Sequence, residues 1–300
     1  MTFHVFKKVY YIFFFILCVT VLLLGFVIPH GGIYVVEPSD PELPSNEPLF
    51  YPETLSGAFL NATLIDEHMS DHVIIKLYQL RMFESDIYVA DIVVRDPRFI
   101  MSGLAKNLFG GQNQVETVSK MAMDRNAVFA INADYASHYN TGIVIKNGEI
   151  LRRTISYRYA TALFLDGRVE SFKETQTNAQ RLLFDGAWQV FSFGPVLVKN
   201  GETVSSVDDG YQRNRVDNPR SAFGWIEDMR YVFVTVDGRS SISIGVDIEE
   251  LAIIMQSLGA KEAYNFDGGG SATMYFNGRV VNKPSQGYER GVGDMVYIRG

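Results

Sequence analysis

The chain has 300 residues, 47% of them hydrophobic, a formal net charge of −7 and one cysteine. That length accommodates one large domain or two small ones, and the acidic balance makes nucleic acid and anionic lipid head groups poor partners. A lone cysteine excludes an internal disulfide framework, so a folded domain here must rely on its own apolar core.

From Val9 to Ile28 the chain reads VYYIFFFILCVTVLLLGFVI, without a charged residue. At about 1.5 Å per residue such a helix covers roughly the 30 Å of a bilayer core. Phe26-Val27-Ile28-Pro29-His30 lacks the small-x-small pattern of a cleaved signal peptide, so an uncleaved transmembrane anchor over 9–28 is expected. Lys7 and Lys8 precede it, while Glu37, Asp40, Glu42 and Glu47 follow. Basic residues stay inside, which makes 1–8 a cytoplasmic tail and places the rest outside a single-pass cell membrane protein. Cys18 lies within the span. An exported domain without disulfides suits a bacterial cell surface. Residues 29–56 hold six of the ten prolines and read as an extracellular linker. With no second linker, one domain over 57–300 follows.

Val73–Tyr78 and Asp86–Val94 read as strands, and hairpin turns recur at Asn147-Gly148, Asp166-Gly167, Asn200-Gly201 and Asn277-Gly278. Glu227-Asp228 separates a further pair, 221–226 and 230–236. Two helices announce themselves by capping-box spacing. One starts at Asn113 with Glu116, followed by Val118 and Ala122; the other starts at Asp247 with Glu250, followed by Leu251, Ile254, Met255 and Leu258 and ended by Gly259. The expected class is α+β: a mixed, largely antiparallel sheet packed with helices.

Four apolar runs end abruptly in polar residues and glycine: Ile131-Asn132-Ala133-Asp134-Tyr135, Asn218-Pro219-Arg220-Ser221, Val236-Asp237-Gly238-Arg239 and Asn265-Phe266-Asp267-Gly268-Gly269-Gly270-Ser271. Each alone reads equally well as a turn or a cap; together they point to one cleft at a rim of strand ends. A fifth polar stretch, Asn282-Lys283-Pro284-Ser285 through Glu289-Arg290, precedes the last strand. There is no Gly-x-Ser-x-Gly elbow at Ser271, no phosphate-binding Walker loop and no dinucleotide fingerprint. His68 and His72 are four apart but lack the glutamate of a zinc protease helix.

In these five stretches, and in their order over roughly 85–300, the sequence resembles the phosphodiester glycosidase family. The resemblance implies hydrolysis of a sugar-1-phosphodiester in surface or exopolysaccharide-type glycans. Phosphate leaves far more readily than a sugar alkoxide, so charge neutralisation matters more than protonation. Arginines suit that task through bidentate pairing. Arg220 and Arg290, with Arg239, are the candidates for the phosphate, assisted by the backbone N–H groups of Gly268, Gly269, Gly270 and Ser271, with Asn132 and Asn265 beside them. Asp267 is the expected nucleophile or base, and Asp237, Asp134 or Glu289 the second carboxylate or an arginine orienter. Two other readings share these residues. One is a non-catalytic module that binds phosphoglycans. The other is a phosphodiesterase cleaving P–O with a divalent cation on Asp134, Asp237 and Asp267.

Overall fold

The computed structural model describes residues 32–42, 49–51, 57–110, 114–204 and 215–300. The expected anchor at 9–28 lies outside them, as does part of the proline-rich segment. Among the described residues no helix is long and apolar enough to cross a membrane.

Alternation of apolar residues builds three large sheets rather than one, beside a two-stranded ribbon. The first has eight strands, in the order Glu202–Thr203, Val196–Lys199, Glu262–Asn265, Arg220–Glu227, Arg230–Val236, Ser85–Val94, Val73–Met82 and Thr63–Met69. The second has five: Arg279–Val280, Met274–Phe276, Ala127–Asn132, Asp294–Arg299 and Met101–Leu104. The third orders Val169–Lys173, Tyr159–Phe164, Ala187–Phe191, Val144–Lys146 and Glu149–Arg152.

The strand pairs in all three run antiparallel. The expected mixed sheet and α+β class are therefore corrected to a β-rich, antiparallel domain. A parallel crossover needs a dozen or more residues, usually a helix, whereas this chain turns back through tight hairpins. Three of these turns, Asn147-Gly148, Asn200-Gly201 and Asn277-Gly278, carry the two consecutive positive φ values of a type I′ turn.

Period-2 alternation gives each sheet an inner and an outer face. Tyr88, Ala90, Ile92 and Val94 point into a core shared by all three sheets, together with Phe129, Phe191, Phe223, Phe233, Tyr264 and Phe266. Ile87 and Val89 point to the other side, where a helix covers them. Each outer face carries one short helix: α1 (Val118–Asp124) on the second sheet, α2 (Ala179–Phe184) on the third and α3 (Ile248–Ser257) on the first. In α3 both halves of the expected capping box form: Asp247 accepts from the Glu250 N–H, and Glu250 accepts from the Asp247 N–H. Asn113, the cap expected for the other helix, lies outside the described residues. Helix α1 starts later, capped by Thr117, and Glu116 instead accepts from the Lys106 N–H at 2.6 Å.

The described parts of the proline-rich segment lie against the domain, not extended from it. Ile33–Tyr34 pairs with Leu108–Phe109, and Val35 is buried beside Leu104 and Phe109. Glu37 then gathers three partners: the Arg125 guanidinium, the Tyr297 hydroxyl at 2.7 Å and the Arg299 guanidinium at 3.6 Å. Asp40 pairs with Arg299 at 2.8 Å. Further on, the Tyr51 hydroxyl donates to Asp91 at 2.6 Å.

Candidate active site

Strand register brings the four polar ends together. Arg220 pairs with Val236, and Ala222 with Asn265, so the start of one strand meets the ends of two others in the first sheet. The second sheet contributes Asn132, opposite Met295. The two sheets are stitched where the Asp267 N–H donates to the Ala133 carbonyl at 3.0 Å and Asn132 Nδ2 donates to the Asp267 carbonyl at 2.6 Å. Phe266 packs in the aromatic core, its ring tilted against Phe191 at 4.9 Å, which gives Asp267 a rigid backing.

At the mouth stand Asp267, Ser271, Arg239 and Arg290. Arg290 Nη2 lies 3.3 Å from the Asp267 carboxylate, and the same guanidinium donates to the Ser271 hydroxyl through Nε at 3.1 Å and through Nη2. Gly269 and Gly270 sit between the two arginines. A Cβ on Gly269 would stand 3.0 Å from Arg239 Nη2, and one on Gly270 would stand 3.4 Å from Arg290 Nη1. Bare backbone at these two positions is what lets both guanidinium groups close on one spot. Gly269 also has φ of +62°. Arg290 keeps 46% of its side chain exposed and Asp267 19%, so both face an incoming ligand. Arg239 is exposed as well, oriented by two bonds to Asn218 Oδ1 at 2.9 and 3.2 Å, and its own backbone has φ of +61°. A non-glycine residue held there stores strain of the kind that collects at functional sites.

Burial pushes the Asp267 carboxyl above the usual carboxylate range, while Ser271, Arg290 and the Gly268 N–H pull it back. Most glycine-loop donors are occupied within the protein. The Gly268 N–H donates to Asp267 Oδ1 at 3.0 Å, that of Gly269 to the Pro219 carbonyl at 2.8 Å and that of Ser271 to the Gly268 carbonyl at 3.2 Å. The side chains of Arg239 and Arg290, more than this backbone, form the anion-attracting surface.

Behind the mouth lies a layer of buried amides. Asn132 Oδ1 accepts from Ser221 Oγ at 2.8 Å and from the Thr273 N–H at 3.1 Å. Asn265 Nδ2 donates to the Gly194 carbonyl at 2.8 Å. Asn282 Nδ2 donates to both Asp237 Oδ1 and the Ala272 carbonyl at 3.1 Å, and its Oδ1 accepts from the Met274 N–H. Asp237 also accepts from the Lys283 N–H at 2.9 Å, and burial raises its pKa to about 6.

Three further candidates serve as supports. Arg220 is buried, with Nε on the Val246 carbonyl at 3.0 Å and Nη2 on the Val216 carbonyl at 2.9 Å; desolvation lowers its pKa to about 10. Asp134 is fully buried with Lys146, Nζ to Oδ1 2.8 Å, and the same ammonium lies 3.2 Å from Asp294. Lys146 holds the Asp134 carboxyl below the usual carboxylate range against its burial, whereas burial beside a second carboxylate pushes Asp294 well up. Glu289 accepts from the N–H of Ser119 at 3.0 Å and from its hydroxyl, which pins the Arg290 loop to the start of α1. Asp134, Asp237 and Asp267 thus lie in three separate hydrogen-bond networks. Among the described residues no group of three or more His, Cys, Asp or Glu is gathered to hold a metal.

Sequence reasoning passed over Lys146, Asp294 and Glu174. The last is a fully buried carboxylate that accepts from the Ile143 and Ser156 N–H groups and from the Ser156 and Ser192 hydroxyls. Lys146 sits one residue before an Asn-Gly turn, where a lysine normally reads as a solvated charge.

Residues 125–299 match the phosphodiester glycosidase family model. The SPbeta prophage-derived uncharacterized protein YomE of Bacillus subtilis (strain 168) is 33% identical over 196 residues, covering 63% of this chain and 30% of that protein. The chain therefore spans about a third of that relative's length. The catalytic domain of zebrafish N-acetylglucosamine-1-phosphodiester alpha-N-acetylglucosaminidase, auto-inhibited by its pro-peptide, superposes with a TM-score of 0.60 at 18% identity, over 83% of this chain and 96% of that one. A protein from Synechocystis superposes at 0.53 and 14% identity, over 79% and 64%. At such identities these two likenesses speak to the fold. With the family model covering more than half of its length, the chain belongs to the phosphodiester glycosidase family.

Proposed function

We propose that the chain hydrolyses the C1–O bond of a sugar-1-phosphodiester, acting at a cell surface to which residues 9–28 tether it, on wall or exopolysaccharide-type glycans. The observation that carries this reading is one open carboxylate, Asp267, beside two exposed guanidinium groups that converge over Gly269 and Gly270. The phosphate sits between Arg239 and Arg290, and the anomeric carbon faces Asp267. As the C1–O bond breaks, its electron pair leaves on the phosphate oxygen, where the two arginines meet the growing charge. Asp267 either takes a proton from the water whose oxygen bonds to C1, or bonds to C1 itself and is freed when water hydrolyses the glycosyl ester. A single carboxylate at the mouth suffices because a phosphate monoester leaves without a strong general acid.

The test is incubation of the full chain with a glycosyl-1-phosphodiester, followed by product analysis. Free sugar plus phosphomonoester is expected, and Asp267→Asn should lower turnover by about 10²–10⁴-fold with the fold intact. Sugar phosphate as product, with chelator sensitivity, would point instead to P–O cleavage. Undiminished turnover in the Asp267→Asn protein would remove Asp267 from the chemistry.

A further inference from the structure

A second region of the surface has chemistry that the mouth does not use. On one side of the mouth runs a series of aromatic rings. Tyr135 stacks on His138 at 4.6 Å, His138 meets Tyr139 at 5.9 Å, and Tyr139 meets Phe193 at 6.3 Å. Tyr139 and two further rings each have a cation near them: Arg158 at 5.0 Å from Tyr139, Lys173 and Lys199 at 5.8 and 5.9 Å from Tyr159, and Lys261 at 5.4 Å from Trp225. Among the described residues no carboxylate comes within ion-pair distance of these four cations. In a chain of net charge −7 such a run of basic groups is a local departure.

Lys199, Trp225 and Lys261 also line a groove of about 660 Å³, together with Asn200, Glu262 and the Arg168–Glu170 ion pair. Two of these residues have buried polar atoms with no partner among the described residues: Trp225 Nε1, a donor, and Glu262 Oε2, an acceptor. Leaving such groups unsatisfied is costly, and side chains that shift to admit a hydroxyl-rich ligand would recover that cost. Trp225 lies five residues along its strand from Arg220, roughly 17 Å from the rim at the usual rise per residue. A ligand reaching both places is an oligomer, not one sugar.

From these aromatic–cation pairs, and from the groove that Lys199 lines while lying near Tyr159, we infer that the Tyr139, Tyr159 and Trp225 surface is a second binding site, which holds a phosphodiester-linked glycan chain while one of its linkages occupies the mouth. Indole and phenol faces stack on sugar rings, and the ammonium and guanidinium groups beside them meet the intervening phosphates. The inference rests on the proposed reaction for the identity of the chain being held, although the site can bind whether or not cleavage occurs. A single-stranded nucleic acid also offers rings and phosphates. The connection to a sugar-directed mouth favours the glycan.

The experiment is affinity electrophoresis of the full-length Asp267→Asn protein through gels containing a teichoic acid, neutral dextran or a single-stranded oligonucleotide. Strong retardation by the teichoic acid alone is expected, with affinity about tenfold weaker in Trp225→Ala and in Lys261→Ala. Because Lys261 is exposed, its variant remains informative where loss of Trp225 disturbs the sheet. Equal retardation of parent and Lys261→Ala, or no retardation of the parent, would overturn the site. Equal retention by the oligonucleotide would overturn the glycan assignment. Cleavage of a short glycosyl-1-phosphodiester by the unsubstituted chain is read separately, so failure of the reaction and failure of the groove give different results.

Discussion

Asp267 and Asp237 are both carboxylates that burial pushes toward the neutral form, yet their surroundings divide their labour. Asp267 faces a guanidinium at the mouth; Asp237 faces an amide and a backbone N–H one layer deeper, where it holds the Asn282–Arg290 loop in place. The deeper position carries a cost that depends on pH. Its pKa is about 6 in the fold, against about 3.9 in an unfolded chain. A carboxyl raised by folding stabilises the protein fully below its unfolded value and loses that contribution as pH rises through the folded one. Asp237→Asn keeps an acceptor for Asn282 and Lys283 and has no proton to lose. From pH 4 to pH 7 its stability should gain on the parent by about 2–3 kcal/mol. Urea unfolding at several pH values checks this; parallel curves would mean that Asp237 stays ionised when folded.

At the scale of elements, positioning depends on short pieces that grip one another. Helix α1 begins under Glu289, and through that grip the helix sets where Arg290 points. Glu289→Ala should cost about 0.5–2 kcal/mol of stability, as loss of a helix cap does. It should also raise KM for a glycosyl phosphodiester about tenfold, with Glu289→Gln recovering part of both because its amide oxygen still accepts. Kinetics and thermal melts on the two variants decide it; an unchanged KM would detach the cap from the site.

The same scale shows what a sequence reveals. Asn-Gly turns and the Asp247–Glu250 box are local, so their residues suffice to specify them. The expected start at Asn113 misplaces the helix, which Thr117 caps while Glu116 accepts from the Lys106 N–H, a tertiary contact without a local signature. Helix α2 has six residues and only two buried side chains, too few for a period to register. The polar strand ends are visible as motifs. That Asp134 turns inward to Lys146 while Asp267 turns outward to Arg290 depends on packing between sheets, which no spacing records.

For the molecule as a whole, the strap formed by residues 32–40 belongs to the domain. Proline and acidic residues suggest a linker by composition, but Glu37 meets two guanidinium groups and a phenol on the body it was expected to lead away from. A chain beginning at Gly57 would leave Arg125, 8% exposed, without that carboxylate. Such a truncation should unfold at lower urea than one beginning at Gly32, by about 3 kcal/mol or more. Coincident unfolding curves would return the strap to the status of a tether.

Where the chain is held ahead of Gly32, a pull on the domain enters through this strap. It meets the two residue pairs with Leu108 and Phe109 first, then the seat of Val35, then the ion pairs of Glu37. The sheets that carry Asp267 and Arg290 come last in that line. Under such a pull the ribbon of residues 32–40 would peel before the sheets gave way, lengthening the tether while the cleft stayed folded.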